Sequence, residues 1–238
     1  MQSPLAEFLA SFSTEDKQAI SNLIGEYRQA KLVTPAVDES RLTLGKSSAP
    51  VHLIDWIDIQ CPHCKHFIEA MDGILQSIPP DQLSIESRHY PLDAECNPAM
   101  PPERRTGVSC LAAKALICLS DKPNFDAQRH ELFKQQKFLT KELIWSTLTS
   151  DAKTRESLQT CIDAPETQAK LTADLKLADA HGIEGTPLVV INGRKTSAAP
   201  PIVYALILAQ GDANAAEFAT LPPPQKIVRA EEGGAPHQ

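Results

Sequence analysis

The sequence predicts an α/β fold. It reads as a strand–helix–strand unit, a helical block, and a closing hairpin with a final helix, preceded by a helical extension. Three observations predict it. The apolar run Val51-His52-Leu53-Ile54-Asp55-Trp56-Ile57 leads through a short polar stretch into a helical pattern. Residues 97–181 show helical periods or caps along most of their length. Gly185-Thr186-Pro187 is followed by the apolar run Leu188-Val189-Val190-Ile191 and an Asn192-Gly193 hairpin signal.

The elements follow in order. In an extension over residues 1–42, Leu5, Phe8, Leu9 and Phe12 precede a helix cap at Ser13-Thr14-Glu15-Asp16, and Ile20, Leu23, Ile24 and Tyr27 recur at helical spacing. One or two amphipathic helices are expected over residues 3–30. Packing onto the main fold is the plainer use of their apolar stripe; joining a second copy as a homodimer is the other. Residues 43–96 hold the strand 51–57, a helix and a strand over 83–90. The helix repeats its apolar face at Phe67, Met71, Ile74, Leu75 and Ile78 and stops at Pro79-Pro80. Residues 97–181 divide into helical segments near 107–120, 124–136, 140–149, 152–162 and 165–181, the last ending at Gly182 as a C-cap. Residues 182–211 hold the Gly-Thr-Pro loop, the hairpin, and a last helix, Ile202–Gln210, opened by Pro200-Pro201. Residues 212–238 are expected as a flexible tail, rich in Pro, Gly and charge from Leu221 onward.

Chemistry concentrates in Cys61-Pro62-His63-Cys64. A strand that delivers C-x-x-C to a helix start places the first sulfur among unpaired N–H groups at the positive end of the helix dipole, which favours the thiolate. The thiolate is the nucleophile of disulfide exchange. Pro62 suits the first helical turn, and His63 adds positive charge beside the sulfur when protonated. Half of a zinc site is the competing reading, and His66 lends it some weight. A structural zinc site needs two closely spaced ligand pairs, and Cys96, Cys110, Cys118 and Cys161 form no second C-x-x-C.

Two blocks carry a resemblance. Residues 43–51 with Asp58-Ile59-Gln60-Cys61-Pro62-His63-Cys64-Lys65-His66-Phe67, and separately residues 182–193, resemble the DsbA-like branch of the thioredoxin superfamily over roughly residues 43–211. The resemblance implies a thioredoxin fold with an inserted helical domain. It implies that Cys61 is an exposed nucleophile, Cys64 a buried resolving cysteine, and Pro187 a cis proline facing the pair. It also implies that Thr186 offers backbone groups to an extended substrate peptide. Asp55, six residues before Cys61, matches a carboxylate that in the wider family relays a proton to the buried cysteine; a solvated strand-edge acid is the alternative. Asp58 is expected to be structural, hydrogen-bonding near the turn.

Four further cysteines allow three pairings. Sequence alone cannot select one; Cys96–Cys110, which would close a loop, is the favoured bridge, and Cys118–Cys161, which would staple two helices, stays open. Buried free thiols, or a second redox pair, are the alternatives. An even cysteine count suits an oxidising, extracytoplasmic compartment. The start Met1-Gln2-Ser3-Pro4 lacks the basic and apolar segments of a signal peptide, so a mature or trimmed chain, the soluble part of a longer membrane protein, or a cytosolic protein are all consistent with it. A net charge of −7 argues against nucleic acid as a partner, and no apolar stretch approaches membrane-spanning length. Metal and cofactor are not expected beyond the cysteine pair itself. The leading function is donation of the Cys61–Cys64 disulfide to folding polypeptides, with a redox partner resetting the pair. A dimeric isomerase or reductase, and a peptide-binding chaperone module, are the alternatives.

Overall fold

The computed structural model describes residues 2–225. Five strands form one sheet: β1 (Leu42–Leu44), β2 (Val51–Ile57), β3 (Leu83–His89), β4 (Leu188–Ile191) and β5 (Arg194–Thr196). Their spatial order is β1-β3-β2-β4-β5. β2 and β3 run parallel, and every other pairing is antiparallel. The parallel pair needs a crossover, which α3 (Pro62–Leu75) supplies. Of β2, only His52 is not fully buried, because helices cover both faces of this central strand. Leu53 and Ile57 pack in one cluster with Cys64, Phe67 and Ile68 of α3. Ile54 and Trp56 point to the other face and pack with Leu175 and Ala178. The pleat therefore turns Asp55 toward the α3 side.

The helical block consists of α4 (Val108–Leu119), α5 (Phe125–Lys134), α6 (Lys141–Leu148), α7 (Ala152–Asp163) and α8 (Pro165–Ala180). Two disulfides stitch it: Cys96–Cys110 at the entrance to α4, and Cys118–Cys161 between α4 and α7. Residues 90–106, expected within or beside the helical run, form turns and one short 3-10 segment instead. Pro91, Pro98, Pro101 and Pro102 remove the N–H groups a helix there would need. The crossover helix likewise ends at Leu75, ahead of Pro79.

α1 (Pro4–Ala10) and α2 (Thr14–Gln29) pack onto the domain itself, beside α9 (Pro200–Leu208). Leu5, Leu9, Ile20, Ile24 and Tyr27 are buried in the main core. The Tyr27 hydroxyl donates to the Ile191 carbonyl at 2.9 Å, and Arg28 donates through Nε to the Ala213 carbonyl at 2.9 Å. The segment expected as a tail departs from that expectation over residues 212–225. Phe218 and Leu221 are buried, residues 216–220 form a 3-10 turn, and Ser21 donates to the Pro222 carbonyl. The remainder of the expected tail, residues 226–238, lies outside the described residues.

A buried ionic cluster joins distant parts. Asp174 of α8 accepts from Arg41 at 2.6 Å, from Arg88 at 2.9 Å and from the His89 amide at 3.0 Å. Glu86 accepts from Arg88 and from the Asp38 amide, and lies 2.9 Å from His52 Nε2.

Candidate active site

Topology brings the site together. β2 and β4 are antiparallel, with Trp56 paired to Leu188. The end of β2 that leads to Cys61 therefore lies beside the start of β4, where Thr186 and Pro187 enter. The Thr186–Pro187 peptide is cis. Cys61 is the N-cap of α3, and Pro62 occupies its first turn. Cys61 Sγ lies 3.3 Å from the Thr186 carbonyl, a contact its thiol can donate to.

Both sulfurs are free thiols and both residues are buried: Cys61 is 6 % exposed and Cys64 has no exposure. The expected exposed nucleophile is thus more enclosed than predicted, because the Thr186–Pro187 loop closes over it. The pair nonetheless differs sharply in acidity. The Cys64 thiol donating to Cys61, with the His63 and Cys64 amides of the helix start, pulls Cys61 down to about 5 against the opposing effect of burial. Burial pushes Cys64 far up, and so does its hydrogen bond to Cys61.

Asp55 is fully enclosed, and burial raises its carboxyl to about 6, with Arg129 opposing and Asp126 adding to the rise. Its Oδ1 has no hydrogen-bond partner, and Asp55 lines a small cavity of about 30 Å³ with Ile68, Asp126 and Arg129. Sequence reading found Asp55 but missed Asp126 and Arg129, which come from α5, more than seventy residues downstream. Asp58 hydrogen-bonds at the turn, where the sequence reading placed it. Asp58 is 3 % exposed and accepts from the amides of Gln60 and Leu92, and its own amide donates to Cys64 Sγ at 3.4 Å. Burial raises its carboxyl. His63 and Pro187 line a cleft of about 290 Å³ with Phe67, Ser197 and Ala198. A second cleft of about 700 Å³ lies on the helical-block side of Pro62, where Phe138 is 81 % exposed. His66 points outward, 3.8 Å from Glu69.

The family model described as Thioredoxin matches residues 37–203, which span β1 to α9 and include both the cysteine pair and the cis-proline loop. The chain belongs to the thioredoxin family. Within that family its arrangement is the DsbA-like one, with the helical block set between the βαβ half and the closing hairpin. Oxidised BdbD from Bacillus subtilis superposes with a TM-score of 0.60 at 20% identity, covering 76% of this chain and 97% of that one. The thiol-disulfide exchange protein alpha-DsbA2 from Wolbachia pipientis gives 0.58 at 14% identity, covering 84% and 100%. Reduced DsbA1 from Neisseria meningitidis gives 0.53 at 18%, covering 80% and 91%. Among curated sequences, the Na(+)/H(+) antiporter NhaA 1 of Mycolicibacterium gilvum is 24% identical over 171 residues, covering 69% of this chain. The chain spans about a quarter of the length of the curated relatives it matches. Among the described residues, no helix is long and apolar enough to cross a membrane.

Proposed function

We propose that this chain is a thiol–disulfide oxidoreductase that donates the Cys61–Cys64 disulfide to thiol-bearing polypeptides outside the cytoplasm. The observation that carries the reading is the placement of the pair: Cys61 at the N-cap of α3, 3.3 Å from the carbonyl of Thr186 in the cis-proline loop, with Cys64 buried. A substrate thiolate attacks Cys61 in the disulfide; the Cys61–Cys64 bond breaks and Cys64 leaves with the electron pair. Cys64 is a poor thiolate because it is buried, so it takes a proton, and Asp55 on the α3 face of β2 is the proposed donor. A second substrate thiolate then attacks its own sulfur in the mixed disulfide and displaces Cys61. Cys61 leaves as a stable thiolate and needs no proton near neutrality. The substrate is oxidised by two electrons, and a partner disulfide or equivalent oxidant must reset the pair. Thr186 and Pro187 would hold the substrate backbone in the cleft below His63. No cofactor beyond the cysteine pair enters this chemistry.

The test is equilibration of the pair with glutathione, counting thiols by alkylation and mass. A potential near or above roughly −150 mV supports a disulfide donor; one near roughly −270 mV overturns the direction and favours a reductase. Cys61→Ser should abolish exchange. A variant that still oxidises a reduced peptide sinks the site assignment.

A further inference from the structure

We propose that Asp58 is a positioning residue that tunes the Cys61–Cys64 pair, and that the Cys96–Cys110 bridge acts on the pair through it. The inference rests on reading that pair as the redox centre.

The geometry around Asp58 is specific. Oδ2 accepts from the Leu92 amide at 2.6 Å and Oδ1 accepts from the Gln60 amide. Ser109 Oγ lies 3.1 Å from Oδ1 and 2.9 Å from Gln60 Oε1, and can give its one proton to either. Both carboxylate oxygens face donors, an arrangement that suits the ionised form. The same residue touches both ends of the redox loop. Its amide donates to Cys64 Sγ, and its carbonyl accepts from the Cys61 amide at 3.1 Å. A negative charge held here opposes a second one on Cys61, and the two groups repel.

Two of the donors, Leu92 and Ser109, come from beyond the redox loop, and both adjoin the bridge. Leu92 lies four residues before Cys96, and Ser109 immediately precedes Cys110. The bridge therefore fixes the Leu92 and Ser109 groups relative to each other, and together they fix the carboxylate. Cys61, the N-cap of α3, and Cys64 within it flank Asp58, and Asp93 follows its donor Leu92 in the loop after β3. The Asp93 carboxylate is turned away, accepting from the Glu95 amide at 3.0 Å and the Thr106 hydroxyl at 2.9 Å. From α4 comes the neutral Ser109.

Opening the bridge loosens the donors. A buried carboxylate that loses donors takes up a proton, its charge disappears, and the Cys61 thiolate gains stability. Asp58→Asn removes the charge directly. Both changes therefore move the pair the same way, toward the dithiol.

The test follows the thiolate titration of Cys61 by ultraviolet absorbance and the equilibrium with glutathione. It compares wild type, Asp58→Asn, Ser109→Ala, the bridge variant Cys96→Ala/Cys110→Ala, and Asp58→Asn combined with the bridge variant. Asp58→Asn is expected to lower the titration midpoint and shift the equilibrium roughly tenfold toward the dithiol. The bridge variant should shift both the same way, and adding Asp58→Asn to it should change little more. Ser109→Ala, the mildest change, should give a smaller shift of the same sign and serves if the bridge variant does not fold. A midpoint that stays put or rises in Asp58→Asn overturns the tuning role. Additive shifts in the combined variant overturn the coupling to the bridge. A wild-type chain that does not equilibrate with glutathione at all refutes the redox reading, a result separate from either.

Discussion

Cys61 and Cys64 carry the same side chain three residues apart, yet the helix start and the depth of burial drive their acidities in opposite directions. Rapid alkylation of reduced protein should therefore label Cys61 alone, with a midpoint at about 5, and leave Cys64 unlabelled until the chain unfolds. Asp55 gives a second expectation. Its carboxyl holds its proton more tightly in the folded chain, at about 6 against an ordinary 3.8. The folded state thus loses stability as pH rises between those two values, and the loss is complete above the upper one. Asp55→Asn removes the loss, so it should be about 2–3 kcal/mol more stable than wild type at about pH 8 and little different near pH 4, read by urea unfolding. The same substitution should slow release of Cys64 from the disulfide, and exchange kinetics unchanged across pH would remove the proton role. The cysteines and Asp55 were legible because local order encodes them: a strand, a turn and a helix start within fourteen residues. Asp126, Arg129 and Ser109 were not, since only the docking of a distant helix brings them to the site.

Helices and strands were legible where their periodicity is strong. The apolar spacing in α2 and the apolar run of β2 hold in the structure, and that of α3 holds as far as Leu75; β5 follows from the Asn192-Gly193 hairpin signal, whereas β1, three residues long, carries too little pattern to announce itself. Residues 212–225 misled for a related reason: their composition reads as solvated, but Phe218 and Leu221 are buried in the main core, and Ser21 and Arg28 of α2 donate to the Pro222 and Ala213 carbonyls. α2 is an integral wall of the core. Ile24→Ala should cost about 3 kcal/mol, and Tyr27→Phe about 1–2 kcal/mol by leaving the Ile191 carbonyl without that donor. Both are measured by denaturant midpoint. If neither moves the midpoint, the helices are peripheral and their apolar face is open to a second copy. Removing Cys118–Cys161, which closes 43 residues, should cost about 4 kcal/mol through loop entropy.

At the scale of the whole molecule, Asp174 is the meeting point of the N-terminal segment, the sheet and the helical block. Asp174→Ala leaves Arg41 and Arg88 buried without their shared counter-charge, and should cost about 3–5 kcal/mol. Asp174→Asn, which keeps the shape, should recover only part of it. None of this was legible, because Arg41 and Asp174 stand 133 positions apart and nothing in either neighbourhood marks the pairing. The same seam holds Trp56, fully buried, its indole N–H donating to the Asp174 carbonyl at 2.9 Å. The other tryptophan, Trp145, sits in α6 under the Arg155 guanidinium, 4.8 Å from its ring centre. The chain therefore carries two separate optical reporters, one at the junction and one inside the helical block. With Trp145→Phe, the remaining emission should stay blue while the junction is closed and redden when water enters it. Partial detachment of the helical block would then be visible by light alone, before the fold as a whole gives way.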